Sequence, residues 1–263
     1  MLGFVRTEYW ERPGLMTRLR CVVDQRHGVE VSERSVFGRP ALFVRQRRTC
    51  GRELQRVLVE RGVDRVAVSG DHDVPVQRMD HRYLYTYLAG DVGAYVAERS
   101  GATAACFFRT VGQLEERALL KLAESFRYLL LHVQRGGAAV CRALRRHYGL
   151  PVVETPTQSQ LRGADFALVL HPLTAGTVLS ERCLTFSPQN GDVPGGMPIT
   201  GLNLDVPPSL AAEIPAGFQP EPVLSEAAFR GQIDPSKIKI NSVSLDKTPE
   251  SHYNTSDHRT GVR

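Results

Sequence analysis

Residues 126–154 constrain the fold more than any other stretch of this 263-residue chain. They begin with an apolar run at 128–133, which has the length of a strand and no polar alternation. Such a run is typical of a strand buried on both faces of a parallel sheet. Gly136 and Gly137 follow, then an amphipathic stretch at 138–148, then Gly149 and a second apolar run at 150–153. This order predicts a strand, a glycine turn, a helix and a second, parallel strand.

The glycine pair is a candidate phosphate-binding site. Free backbone N–H groups and the positive end of the helix dipole meet where a buried strand turns into a helix. Glu154 lies 154 − 136 = 18 residues after Gly136, about the distance at which dinucleotide-binding folds place an acid on a ribose hydroxyl. We therefore predict a site for a phosphorylated ligand formed by Arg135, Gly136, Gly137, Ala138 and Glu154. Because the turn has no full G-x-G-x-x-G motif, an ordinary tight turn with a solvated Glu154 is the alternative.

The same alternation of apolar strands and amphipathic helices extends over residues 49–186. It predicts an α/β, Rossmann-like three-layer fold in which helices cover a mostly parallel sheet. The expected strands lie near 41–44, 63–68, 102–108, 128–133, 151–154 and 166–170, and the expected helices near 50–61, 80–99, 112–126 and 137–148. Gly90 and Gly93 each lower the helix propensity of 80–99 by about 1 kcal/mol relative to alanine, which predicts a bend or break near Gly90.

The regions on either side of this domain differ in composition. Short strand patterns in residues 1–48 predict a small β-rich N-terminal region. Residues 187–246 are rich in proline and glycine and predict an irregular, extended segment that packs on the body. The same segment is equally suited to wrapping a neighbouring subunit, which would make the protein a homo-oligomer. Residues 247–263 are polar and predict a disordered tail.

Two groups of side chains are candidates for chemistry. His132 and His171 lie near the ends of predicted strands, and histidine exchanges a proton near neutral pH. A structural hydrogen-bonding role is the alternative for both, because acid–base catalysis requires a suitable geometry. Asp71, His72 and Asp73 place metal-type ligands in one loop after the strand at 63–68. An ordinary polar loop is the alternative there.

Several protein classes are disfavoured by motifs that the sequence does not contain. It has no G-x-S-x-G, no P-loop, no H-E-x-x-H and no kinase motif set. Its 5 cysteines form no C-x-x-C, which argues against a disulfide framework and a zinc site. A net charge of +5 without basic stripes interleaved with aromatics gives little support to nucleic-acid binding. Neither a signal peptide nor a membrane span is predicted, so we expect a soluble, cytoplasmic protein.

Together these patterns predict a Rossmann-like protein that binds a nucleotide or other phosphorylated ligand, with NAD or NADP as candidate cofactors. If it is an enzyme, an oxidoreductase is the first interpretation, because a hydride carrier supplies its own chemistry and needs few catalytic side chains. The alternative is a non-catalytic α/β module with an interaction or regulatory role.

Overall fold

The computed structural model describes residues 1–7, 29–46, 51–69, 74, 76–98, 102–173, 176–188 and 193–245. These residues form two sheets. Strands β1 to β5 make the N-terminal sheet, in the order β2-β3-β1-β4-β5, and strands β6 to β12 make the C-terminal sheet, in the order β12-β11-β10-β9-β6-β7-β8. The strands are Leu2–Thr7, Val29–Val36, Arg39–Gln46, Arg65–Ser69, Gln77–Arg78, Thr103–Phe108, Tyr128–Val133, Val152–Glu154, Phe166–Val169, Leu184–Phe186, Met197–Asp205 and Lys239–Leu245.

Seven α-helices connect and cover these strands in the described part of the chain. In chain order they are α1 Gly51–Glu60, α2 Arg82–Ala97, α3 Gln113–Ser125, α4 Gly137–Tyr148, α5 Gln158–Arg162, α6 Pro208–Ala211 and α7 Pro220–Phe229, and a 3-10 turn spans Pro235–Lys237. The helices expected near 50–61, 80–99, 112–126 and 137–148 are present as α1, α2, α3 and α4. The six strands expected near 41–44, 63–68, 102–108, 128–133, 151–154 and 166–170 are present as β3, β4, β6, β7, β8 and β9.

The C-terminal sheet has the strand order that defines a Rossmann-like unit. Its first strand along the chain, β6, lies between β7 and β9, and β8 lies beyond β7. Counted from β6, the order across the sheet is 3-2-1-4-5-6, which is the classic dinucleotide-binding order. Strands β6 to β11 all run parallel to one another in the sheet, and β12 is antiparallel, where it pairs with β11. The predicted Rossmann-like α/β fold with a mostly parallel sheet is therefore confirmed.

The C-terminal sheet has a layer on each face. Apolar residues of α2, α3 and α4 pack in one core with one face of the sheet, as Leu88, Leu122 and Leu144 illustrate. Leu161 of α5 and Leu179 pack against the opposite face. The predicted three-layer arrangement is present around this sheet.

The prediction of a single sheet was wrong. Strands β3 and β4, expected at 41–44 and 63–68 beside the later strands, belong to the N-terminal sheet, where β1 pairs with both of them. Local apolar patterns show that a strand is buried but not which neighbour it pairs with. The N-terminal sheet packs α1 on one face, with Leu54 and Leu58 in that core, and Val223 of α7 on the other.

The predicted break near Gly90 was also wrong, because α2 runs without interruption. A Cβ on Gly90 would lie 2.8 Å from the Cβ of Lys121 and 3.0 Å from the Cα of Ala118, and one on Gly93 would lie 2.0 Å from a Leu122 methyl carbon. The glycines let α2 and α3 approach closely. Burial in this contact outweighs the low helix propensity of glycine.

The described part of the segment 187–246 has more regular structure than its composition suggested. It contains β11, β12 and α7, and residues Val223 to Ala228 of α7 are all buried. No helix in the described residues is long and apolar enough to cross a membrane. Residues 8–28 of the predicted β-rich N-terminal region, the loop 71–73 and the tail 247–263 lie outside the described residues.

Candidate functional site

The candidate site lies at the carboxyl edge of the C-terminal sheet. The chain leaves β6 through α3 towards β7 and later returns to the other side of β6 as β9. Ligands of open α/β sheets bind outside the carboxyl ends of the strands, at such a point of reversal. The turns at this edge are 109–112 after β6, 134–136 after β7, 155–157 after β8 and 170–172 after β9.

The predicted glycine turn is the second of these, between β7 and α4. Gly136 precedes the helix with φ +81°, a left-handed conformation, and nothing lies within 4 Å of the position that its Cβ would take. Only glycine takes this conformation at no steric cost. No side chain caps the start of α4, and its first turn carries no acid. The turn is therefore open, and the positive end of α4 is not neutralised within its own helix.

The backbones of two arginines are adjacent at this turn. The backbone N–H of Arg135 donates to the carbonyl of Arg109 at 3.1 Å, so the β6–β7 pairing continues to these two residues. Both are exposed. In the continued register Arg109 is level with Gln134 and Arg135 with Thr110, so strand alternation places the two side chains on opposite faces of the sheet. The sequence prediction included Arg135 but missed Arg109, which is distant in sequence and comes close only through the strand pairing.

The first turn, between β6 and α3, has the opposite electrostatic character. The N–H of Gly112 donates to a Glu115 carboxylate oxygen at 3.0 Å, and Glu116 also lies in the first turn of α3. Gly112 is the residue that precedes this helix. A Rossmann-like unit seats the pyrophosphate of a dinucleotide at this first turn. Here two carboxylates already face the positive end of the helix, so the turn fits a pyrophosphate poorly.

Glu154 lies beside the glycine turn. One of its carboxylate oxygens is 3.6 Å from the position that a Cβ on Gly137 would occupy. Burial is the main cause of a raised pKa for the Cys141 thiol, and the negative charge of Glu154 raises it further. The structure thus places Glu154 next to the start of α4, at the end of the third strand from the centre of the unit rather than the second. Its contact with a ribose hydroxyl stays a prediction.

The candidate histidines lie on opposite sides of β6. His132 is in β7 and its ring centroid is 5.9 Å from that of Phe107, while His171 follows β9 by two residues. Both are partly buried. Since β6 separates their strands by about 10 Å, the two rings are not placed as a hydrogen-bonded pair. A separate catalytic role for either one stays a prediction.

The described residues contain no cluster of three or more side chains of the metal-binding types. The predicted loop ligands Asp71, His72 and Asp73 lie outside these residues, so that hypothesis stays a prediction.

No protein-family model matches this chain, and no curated protein matches it. Among solved structures, it is similar to a quinate dehydrogenase from Corynebacterium glutamicum in complex with NAD. The similarity has a TM-score of 0.30 at 12% sequence identity, and covers 71% of this chain and 78% of the dehydrogenase. A likeness at this level carries no functional argument. The assignment of the fold rests on the strand order of the chain itself.

Proposed function

We propose that this protein binds a nucleotide at the carboxyl edge of its C-terminal sheet, with a phosphate monoester held at the turn between β7 and α4. The observation that carries the proposal is the position of Arg135 directly before the left-handed Gly136, at the start of a helix with no acid in its first turn. Arginine binds phosphate with two parallel hydrogen bonds, and the backbone N–H groups at the start of α4 add further donors. Gly137 and Ala138 supply two of these groups.

The position of Arg135 favours one class of nucleotide. In this strand order, the end of the second strand lies beside the adenosine ribose. An acid there accepts a hydrogen bond from the 2′-hydroxyl of NAD, whereas an arginine accommodates the 2′-phosphate of NADP. Arg135 follows directly after the second strand of the unit. We therefore favour NADP(H) over NAD(H), with Glu154 close enough to the turn to contact a ribose hydroxyl.

The first turn sets a limit on affinity. A dinucleotide bound in the usual pose brings its pyrophosphate towards Glu115 and Glu116, whose charges oppose it. The 2′-phosphate contact has to offset this repulsion. We expect adenosine 2′-monophosphate, which has no pyrophosphate, to bind at least as well as NADP⁺. If the protein turns over a substrate, hydride transfer by a nicotinamide is the chemistry that this fold positions best.

Calorimetric titration tests the proposal with NADP⁺, NAD⁺ and adenosine 2′-monophosphate. We expect NADP⁺ and the monophosphate to bind, and NAD⁺ to bind about tenfold more weakly or more. Arg135→Gln removes one charged contact and is expected to weaken NADP⁺ binding by about tenfold or more. Arg146→Gln is the matched control, because Arg146 is an exposed arginine in the last turn of α4, at the end of the helix away from the proposed phosphate. Equal affinity for NAD⁺ and NADP⁺, or an unchanged Arg135→Gln variant, would contradict the proposal.

Replacing Glu115 and Glu116 tests whether their charges weaken the binding of a dinucleotide. Glutamine can still accept the hydrogen bond from Gly112, so Glu115→Gln/Glu116→Gln keeps the helix start while removing both charges. We expect this variant to bind NADP⁺ several-fold more tightly and adenosine 2′-monophosphate with nearly unchanged affinity. An equal gain for both ligands would place the acids next to the 2′-phosphate instead.

The second candidate function is a non-catalytic α/β module with an interaction or regulatory role. The same first turn favours it, because Glu115 and Glu116 occupy the place where catalytic dinucleotide folds seat the pyrophosphate. This candidate predicts that no nucleotide binds at millimolar concentration in the titrations above.

A further inference from the structure

A cavity lies between the N-terminal sheet and the loop 212–218. It has a volume of about 960 Å³, near the upper end of the range of small-molecule pockets, roughly 300–1,000 Å³. Its walls come from β1, β2, β3 and this loop, and it shares no residue with the turns at the carboxyl edge of the C-terminal sheet. The cavity is therefore distinct from the nucleotide site proposed above.

The floor of this cavity is aromatic. The rings of Phe4 and Phe43 stack with centroids 4.9 Å apart and planes 15° from parallel. Phe218, from the loop, meets Phe4 edge to face at 5.2 Å. Ile214 and Pro215 add an apolar wall on the loop side. A flat apolar ring is the ligand shape that such a floor stacks against most favourably.

The rim of the cavity is basic. In the parallel β1–β3 ladder Phe4 is paired with Phe43 and Arg6 with Arg45. Because residues two apart in a strand point to the same face, the arginines lie on the same face as the rings. Arg34 of β2 contributes a third guanidinium, 5.1 Å from the centroid of the Phe43 ring. Arg45 has other interactions within the chain. The argument for an anionic ligand therefore rests on Arg6 and Arg34.

One acidic residue, Glu213, is among the described residues that line the cavity. One of its carboxylate oxygens accepts a hydrogen bond from the backbone N–H of Phe37 at 3.0 Å. This contact ties the loop to the turn between β2 and β3. The carboxylate thus has a structural partner, and the lining keeps an excess of positive charge.

We infer that this cavity binds a small aromatic carboxylic acid. The ring of the ligand lies on Phe43 and against Phe218, and its carboxylate is held by Arg34 and Arg6 at the rim. Guanidinium and carboxylate match in geometry and form paired, charge-assisted hydrogen bonds. The apolar floor orients the ring, and the arginines select the anion over a neutral compound of the same shape.

Isothermal titration of the full chain with 2-naphthoate and with 2-naphthamide tests this inference at neutral pH. The two compounds have the same ring system, but only the first carries a charge. We expect 2-naphthoate to bind one molecule per chain, at least about tenfold more tightly than the amide. Equal affinity for the two compounds, or no binding of 2-naphthoate at millimolar concentration, would overturn the inference.

Variants locate the bound probe. Arg34→Gln and Arg6→Gln are each expected to weaken 2-naphthoate binding by about tenfold and to leave the amide unaffected. Arg56→Gln is the matched control, because Arg56 is an exposed arginine of α1, the helix on the opposite face of the sheet. An unchanged affinity of both cavity variants would place the probe elsewhere and overturn the inference.

The proposal of a nucleotide site and the proposal of an acid-binding cavity are tested independently. Arg135→Gln is expected to leave 2-naphthoate binding unchanged, and Arg34→Gln to leave NADP⁺ binding unchanged. If Arg135→Gln weakened 2-naphthoate as much as Arg34→Gln does, the acid would be bound at the carboxyl edge and the cavity assignment would be overturned.

Discussion

Glu226 carries a charge that is buried between the two sheets. Its side chain is 1% exposed, and its carboxylate accepts hydrogen bonds from Arg65 of β4 at 2.8 Å and from Arg230 at 2.7 Å. Arg230 also binds Asp64 at 2.7 Å. Since Glu226 belongs to α7 and Arg65 to the N-terminal sheet, this network joins the C-terminal segment to the first part of the chain.

Replacing Glu226 leaves two arginines without their shared partner. We predict that Glu226→Gln lowers the free energy of unfolding by about 2–4 kcal/mol, because removing one member of a buried ion pair leaves uncompensated charge. The partly exposed arginines can take up water, which limits the loss. Urea denaturation measures it. Glu60→Gln is the control, because the Arg56–Glu60 pair is 68% and 64% exposed, and its loss is expected to cost well under about 1 kcal/mol.

Asp64 links this network to pH. Burial acts to raise the pKa of Asp64, but the hydrogen bond and charge of Arg230 outweigh it, and the pKa lies below its ordinary value of 3.8. A carboxyl group with a lowered pKa stabilises the fold above its unfolded pKa, and that stabilisation is lost as the pH falls through the folded pKa. We predict that Asp64→Asn loses less stability than the parent chain on acidification below about pH 4. Thermal denaturation measures this, and an equal fall in the melting temperature of Asp64→Asn and the parent chain at acidic pH would contradict it.

The described cysteines are expected to be inert. Burial raises the pKa of Cys106 and of Cys183 to about 12, so almost no thiolate, the reactive form, exists at neutral pH. We predict that iodoacetamide at pH 8 leaves both residues unmodified in the native protein and modifies them after denaturation. Peptide mass spectrometry reads each site separately. Rapid native labelling of Cys106 would show that β6 opens readily.

At the scale of elements, the contact of α2 with α3 depends on small residues. A Cβ at position 90 would meet the backbone of Ala118, with its carbonyl oxygen at 3.1 Å. We predict that Gly90→Ala destabilises the protein by about 1–3 kcal/mol through overpacking, although alanine has the higher helix propensity. Thr86→Ala, in the same helix, is the control and should be nearly neutral. A stabilised Gly90→Ala variant would show that α2 moves away from α3 at no cost.

Element type was predictable from the sequence where the pattern is regular. The apolar runs at 128–133 and 166–170 predicted β7 and β9, since interior strands of a parallel sheet must be apolar on both faces. β1 escaped prediction although it pairs with both β3 and β4, because Gly3 and Arg6 interrupt its apolar run. β11 was hidden by the turn residues that surround it.

The candidate site was predictable only in part. Gly136 and its neighbours could be found because a glycine pair between a strand and a helix is a local signal. The pairing of β6 with β7 makes this turn the second of the unit. The same pairing brings the backbones of Arg109 and Arg135 together. Strand pairing joins residues distant in sequence, and a single sequence does not show it.

At the scale of the molecule, α7 joins the two sheets. Val223 belongs to the core of the N-terminal sheet, and the adjacent Leu224 to that of the C-terminal sheet. Consecutive helical residues point about 100° apart, so α7 packs against both cores at once. The C-terminal segment is therefore part of the fold of this chain, which leaves less of it available to wrap a neighbouring subunit.

Truncation tests this role of the segment. We predict that a chain ending at residue 196, which lacks β11, α7 and β12, loses cooperative thermal unfolding and binds a hydrophobic dye, because both cores become exposed. A chain ending at residue 245 keeps every described element and should unfold like the full protein. Retention of a sharp transition after the shorter truncation would mean that the sheets are stable without α7.

The placement of a phosphate at the turn between β7 and α4 is tested most directly by backbone amide NMR during titration with NADP⁺. We predict that the Gly136 and Gly137 signals shift saturably in the parent chain, and that in Arg135→Gln these shifts need about tenfold more ligand or more to saturate. The Gly112 signal should move less, because its N–H is already bonded to Glu115. Saturation by NADP⁺ with Gly136 and Gly137 unmoved would contradict the account.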